Sequence, residues 1–151
     1  MANADGFIYW MYKKLKLQNR FTGNNLASWK VNRGEIYTCY LGENIGYEKS
    51  KQAARPCIVV SSDSINHESG NVVVIPLSKN IKYRDVSKGL LRYNYHYVLK
   101  KSDYIKLTYD SAVQCEDIRN VSKVRLCTYI CHVEPIDMNA IKKRIKKALQ
   151  V

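Results

Sequence analysis

The chain has 151 residues, 46% of them hydrophobic and 25% charged, which is enough for one compact domain plus an appendage. That balance excludes a disordered chain, and no apolar run approaches the roughly 20 residues that would cross a bilayer. Lys and Arg number 25 against 13 Asp and Glu, a net charge of +12. An excess of that size implies an anionic partner: nucleic acid, a membrane surface or an acidic protein. The twelve tyrosines favour nucleic acid, because aromatic faces stack on unpaired bases.

The start, Met1-Ala2-Asn3-Ala4-Asp5, has no basic segment leading into an apolar stretch. It is not a secretory signal, so a cytoplasmic location is expected. The five cysteines (Cys39, Cys57, Cys115, Cys127, Cys131) show no metal-type pairing and mostly sit in apolar strand-like runs. They are read as reduced, small hydrophobes, and no metal or other cofactor is expected. The basic excess falls in three runs. Residues 1–30 carry five Lys/Arg against Asp5, residues 79–106 carry eight against two acids, and residues 141–150 carry five against none.

In chain order, residues 6–18 predict a helix with Phe7, Trp10 and Met11 on one face and Lys13, Lys14 and Lys16 following. Residues 19–28 read as a linker. Packing of this helix on the body or on a partner is expected in preference to a membrane surface, since it is short. From Val31 the pattern changes to short strands: 35–41, then 56–61 after a polar loop, then 72–78 after a second loop over 62–71. The last two are continuous apolar runs, as in strands buried on both faces. Residues 93–99 alternate, with Tyr93, Tyr95 and Tyr97 on one face. Residues 106–115 and 125–131 predict further strands, with a short helical turn over 117–123 between them. After Pro135, Ile141, Ile145 and Leu149 recur every four residues in a terminal helix whose last turns are basic. The expected fold class is α+β, mainly β: a small SH3-like barrel closed by a C-terminal helix, with an extra N-terminal helix.

Several motifs carry a resemblance. Arg33-Gly34-Glu35-Ile36-Tyr37, Gly46-Tyr47-Glu48 and Arg55-Pro56-Cys57-Ile58-Val59-Val60 come first. Asn66 and Val73-Val74-Ile75-Pro76-Leu77-Ser78 follow, then Glu116-Asp117-Ile118-Arg119 and Lys123-Val124-Arg125-Leu126. Taken in this order, residues 31–150 resemble the MazF/PemK toxins. The resemblance implies a toxin domain at 31–151 with residues 1–30 as a helical extension and linker. It implies a homodimer that cleaves single-stranded RNA sequence-specifically, without a metal and through a 2′,3′-cyclic phosphate. A cognate acidic antitoxin whose tail fills the RNA groove is the implied partner, with no membrane involved.

By the same resemblance, Arg55, Ser78 and Glu48 are the catalytic candidates. Tyr47, Lys49, Lys51 and Gln52, with Lys79, Asn80, Lys82, Tyr83 and Arg84, are assigned to RNA binding. Ser78 stands where the family has threonine, Asp117 where it has glutamine, and the loop between Glu48 and Arg55 is two residues longer than in common members. Metal-free cleavage uses the 2′-hydroxyl as its own nucleophile, so the protein must stabilise a phosphorane and manage two proton transfers. A guanidinium, always charged and forked to meet two phosphate oxygens, suits Arg55 to charge stabilisation and not to proton transfer. Ser78 would hydrogen-bond the phosphate or the 2′-hydroxyl, with water or Glu48 as proton acceptor. Two other readings stand beside this one. A CcdB-like gyrase poison on the same barrel is disfavoured because residues 148–151, Ala-Leu-Gln-Val, are not that group's Trp-Gly-Ile ending. A non-catalytic RNA- or protein-binding module would bind RNA in a salt-sensitive way without cutting it.

Overall fold

The computed structural model describes residues 4–49 and 53–151. The chain runs through helix α1 (Ala4–Thr22), strands β1 (Glu35–Cys39) and β2 (Arg55–Val59), helix α2 (Asp63–Glu68) and strand β3 (Asn71–Ser78). A small hairpin of β4 (Tyr83–Asp85) and β5 (Leu90–Leu91) follows, then β6 (His96–Leu99), β7 (Ser111–Gln114), β8 (Arg119–Ser122), β9 (Leu126–His132) and helix α3 (Pro135–Leu149). The main sheet has the order β6-β7-β3-β2-β1-β9, with β8 also on β3, and the pairings are antiparallel. The class is the expected α+β.

β3 organises the sheet. Its first half, Asn71 to Val74, pairs with β8, and its end, Leu77 and Ser78, pairs with β7. Pro76, which has no N–H to give a ladder, lies between the two partners. The apolar runs at β2 and β3 are continuous because both faces of these strands are buried. Ile36, Ile58, Ile75 and Leu77 join one core, beneath Met138 and Ile141 of α3. Tyr37, Cys39, Cys57, Val59, Val72 and Val74 alternate onto a second core with Val31, Leu126 and Trp29.

Several predicted boundaries change. The stretch read as a helical turn at 117–123 contains β8, because tertiary pairing with β3 overrides local pattern. Residues 106–110 are not strand: Asp110 Oδ1 accepts from Lys101 N at 2.8 Å and closes a loop that delays β7 until Ser111. The alternating stretch becomes regular only at His96, and Tyr93 and Tyr95 stack on each other. The loop at 62–71 contains α2, whose Ser62 cap accepts from Ile65 N.

The motif residues explain themselves as joints. Gly34 has φ +90 and donates to Val59 O at 2.8 Å, a turn that a side chain would strain. Asn66, fully buried, bonds the Ser61 hydroxyl and donates from Nδ2 to Ser61 O at 3.0 Å. Lys123 is also fully buried, and its ammonium donates to Ala27 O at 3.2 Å and Trp29 O at 2.6 Å. Burial lowers its pKa from the usual lysine value. Arg125 reaches Tyr40 O at 3.0 Å.

α1 is longer than predicted and sits on the body through one residue of the anticipated face. Trp10 is buried, while Phe7 and Met11 are exposed. The indole lies against Gly42, where an added Cβ would come within 2.0 Å of the ring, and 5.5 Å from the Arg125 guanidinium. Arg20 adds a bond to Leu126 O at 3.3 Å. Among the described residues no helix is long and apolar enough to cross a membrane.

Candidate active-site groove

Arg55 opens β2, and Ser78 closes β3. The β2–β3 register pairs Cys57 with Pro76. Continued by two residues, that register would set Arg55 opposite Ser78, on the same side of the sheet. Both line one hollow of about 310 Å³, together with Lys79, Asn80, Lys106 and Tyr109. Arg55 is half-buried, and its Nη2 donates to Leu77 O at 2.8 Å. Its Nε is buried with no partner. An unpaired donor on a fixed guanidinium is costly unless something accepts from it. Ser78 Oγ accepts from Asn80 N at 3.2 Å, which holds the hydroxyl oxygen at the strand end.

Among the described residues, no carboxylate and no imidazole lines this hollow, whereas Arg55, Lys79 and Lys106 do. Lys79 Nζ stands 5.1 Å over the Tyr109 ring. Such a groove is built to attract an anion and has no internal charge to neutralise it.

The other sequence-assigned residues are distributed around it. Glu48 and Lys49 line a separate hollow of about 290 Å³ with Asp117 and Arg119, where Lys49 meets Asp117 at 3.5 Å. Glu48 is exposed and accepts from Ile45 N at 3.2 Å. Tyr47 is fully exposed. Lys82, Tyr83 and Arg84 belong to the β4–β5 hairpin, and Arg84 lines a third hollow. Lys51 and Gln52 lie outside the described residues. Lys106, Thr108, Tyr109 and Ser111 line the Arg55 hollow without having been anticipated. The basic run over 79–106 signalled Lys106 alone, and nothing in the pattern marked Thr108, Tyr109 or Ser111.

The sequence profile of the PemK-like, MazF-like toxins of type II toxin–antitoxin systems matches residues 32–149. The chain belongs to that family. No curated protein matches it by sequence. Among solved structures, it is similar to MazF from Deinococcus radiodurans, with a TM-score of 0.63 and 14% identity over 82% of this chain and 99% of that one. It is also similar to the Mycobacterium tuberculosis toxin MazF-mt6, with a TM-score of 0.59 and 17% identity over 78% and 97%. A mycobacterial endoribonuclease solved with its cognate antitoxin gives a TM-score of 0.56 and 24% identity over 81% and 95%. At these identities the likeness establishes a MazF fold. α1 lies before the part of the chain that the PemK/MazF profile covers.

Proposed function

We propose that this toxin is a metal-independent, sequence-specific endoribonuclease acting on single-stranded RNA. One observation carries the reading: the Arg55 guanidinium and the Ser78 hydroxyl share a basic groove that no acid lines among the described residues. An RNA phosphate seated there would accept from the Arg55 guanidinium, which Leu77 O holds at the groove wall. Arg55 would then hold the charge that builds on the phosphorane as the 2′-oxygen attacks. Lys79 and Lys106 add field, and Ser78 Oγ donates to a phosphate oxygen or to the 2′-oxygen. Glu48 is the proposed proton acceptor, since the described groove residues offer none, and as the P–O5′ bond breaks the leaving 5′-oxygen takes a proton from water or from the Glu48 carboxyl so formed. RNA-binding roles for Tyr47, Lys49, Lys51, Gln52, Lys79, Asn80, Lys82, Tyr83 and Arg84 belong to the same proposal.

The family's toxin–antitoxin setting supports an acidic antitoxin as partner, and the mycobacterial endoribonuclease solved with its antitoxin supports it further. We place the toxin domain at 31–151, working as a homodimer in the cytoplasm, with residues 1–30 as an appended helix and linker. Purified protein is expected to cut a long single-stranded RNA in excess EDTA, leaving a 2′,3′-cyclic phosphate. Primer extension on the products reads the cut site. Cleavage that requires magnesium, or none across varied RNAs, would overturn the reading.

A further inference from the structure

A second basic hollow, of about 590 Å³, shares no lining residue with the Arg55 groove. Arg84 reaches it from β4, Arg92 from just after β5, and Arg144 from α3. Tyr93, Asn94 and Tyr95 also line it, and among the described residues no acid does. None of the ion pairs among the described residues involves these arginines. Three like charges brought together from separate elements repel one another, and a bound anion relieves that repulsion.

The groups are held in place. Arg144 Nη1 donates to Asn94 O at 2.6 Å. The Arg92 guanidinium sits 5.6 Å over the Tyr93 ring, and its backbone N–H donates to Lys82 O at 2.9 Å. Tyr93 and Tyr95 stack with centroids 5.5 Å apart and ring planes 25° apart. Both rings pack on His96, which is buried and paired with Glu116 at 2.8 Å.

We propose that this hollow is a second binding site for single-stranded RNA, in which the arginines hold a phosphate and the tyrosine pair takes a base away from the cut. The inference rests on the reading above for the identity of the polymer. Guanidinium forks fit carboxylates as well as phosphates. The tyrosines decide for RNA, because a base stacks on a ring face and an acidic side chain does not. The separation is compatible with one strand serving both sites. Ser78 pairs with Ala112, which pairs with Val98, three residues from Tyr95. That is roughly 10 Å along β6 and roughly 10 Å across two ladder spacings.

The test is fluorescence anisotropy of the full chain with a non-cleavable single-stranded oligonucleotide of about 12 nucleotides. Arg84 and Arg92 are exposed, so truncating either leaves the core intact. Arg84→Ala and Arg92→Ala are each expected to weaken binding about tenfold at low salt. Each should also reduce the log–log salt slope by about 0.7, the value for one lost phosphate contact on a single strand. Tyr93→Leu is expected to weaken binding about tenfold with the slope unchanged. Arg92→Ala should raise KM for long RNA and leave cleavage of a short oligonucleotide, filling the Arg55 groove alone, at the wild-type rate. Unchanged affinity and slope in both arginine variants would overturn the site, as would a loss of binding to an acidic polyglutamate peptide with RNA binding intact. Normal cleavage by Arg55→Ala would remove the active-site reading, while weakened RNA binding by Arg92→Ala would still support this one.

Discussion

Arg55 stands at a strand entrance with one nitrogen on Leu77 O and another unpaired. The contact with Leu77 O fixes the fork at the wall of the groove, where the guanidinium meets a substrate phosphate. Arg55→Ala is therefore expected to lower the cleavage rate on the order of 10²–10³-fold, with RNA binding affected far less, measured by single-turnover kinetics. Ser78→Ala should lose part of the rate, and Ser78→Thr should keep it, because the hydroxyl is what the Asn80 N–H orients. Glu48→Gln separates base catalysis from charge stabilisation. If Glu48 takes the proton, the acid limb of the pH–rate profile flattens in this variant and persists in Ser78→Ala. Arg55 and Ser78 were legible because each lies in a motif that ends or begins an apolar strand. Lys106, Thr108 and Tyr109 were not. Their residues alternate like a strand, and the loop that swings them to the groove is closed by Asp110 on Lys101 N, a contact that periodicity does not encode.

At the scale of elements, the long signals survived and the short ones did not. β1, β2, β3 and α3 were readable from apolar runs and the four-residue repeat. The β4–β5 hairpin, with strands of three and two residues, is below the reach of any period. β8 exists only because Asn71 to Val74 offer it a ladder. α1 was readable as a helix, but its attachment by Trp10 depends on Gly42, thirty-two positions away. Trp10→Ala is expected to cost about 3–5 kcal/mol. Gly42→Ala should dislodge the same ring at a backbone angle that already disfavours a side chain. Urea melts of the double variant should then show clear non-additivity. α3 is tied down by Asp137, which accepts from Tyr97 and Tyr104. Burial and that carboxylate push Tyr97 up to about 12 and raise Tyr104 as well. Their folded pKa values exceed the unfolded one near 10. This contribution is therefore complete below about pH 10 and is lost as pH rises through the folded values. The urea midpoint should hold up to about pH 10 and fall as the pH rises toward about 12, and Tyr97→Phe with Tyr104→Phe should shrink that fall.

Across the whole molecule, the net charge of +12 supplies two hollows lined by cations, on a frame whose thiols are mostly inside. Cys39, Cys57 and Cys115 are buried. Burial lifts Cys115 to about 12, and a hydrogen bond with Cys39 together with burial raises Cys57. Brief alkylation of the native protein near neutral pH, followed by intact-mass measurement, should thus add at most two groups, on Cys127 and Cys131. All five should react in denaturant. The seating of Trp10 has a further use. The chain holds two tryptophans, and they watch different places. Trp29 stands edge-on to Tyr37 at 5.6 Å, beside the core. Trp10 rests on Gly42, where the Glu48-bearing loop begins. With Trp29 replaced by Phe, the remaining indole becomes a built-in optical gauge of that loop's root, and a shift in its emission on adding RNA would time the loop's movement against the cut itself.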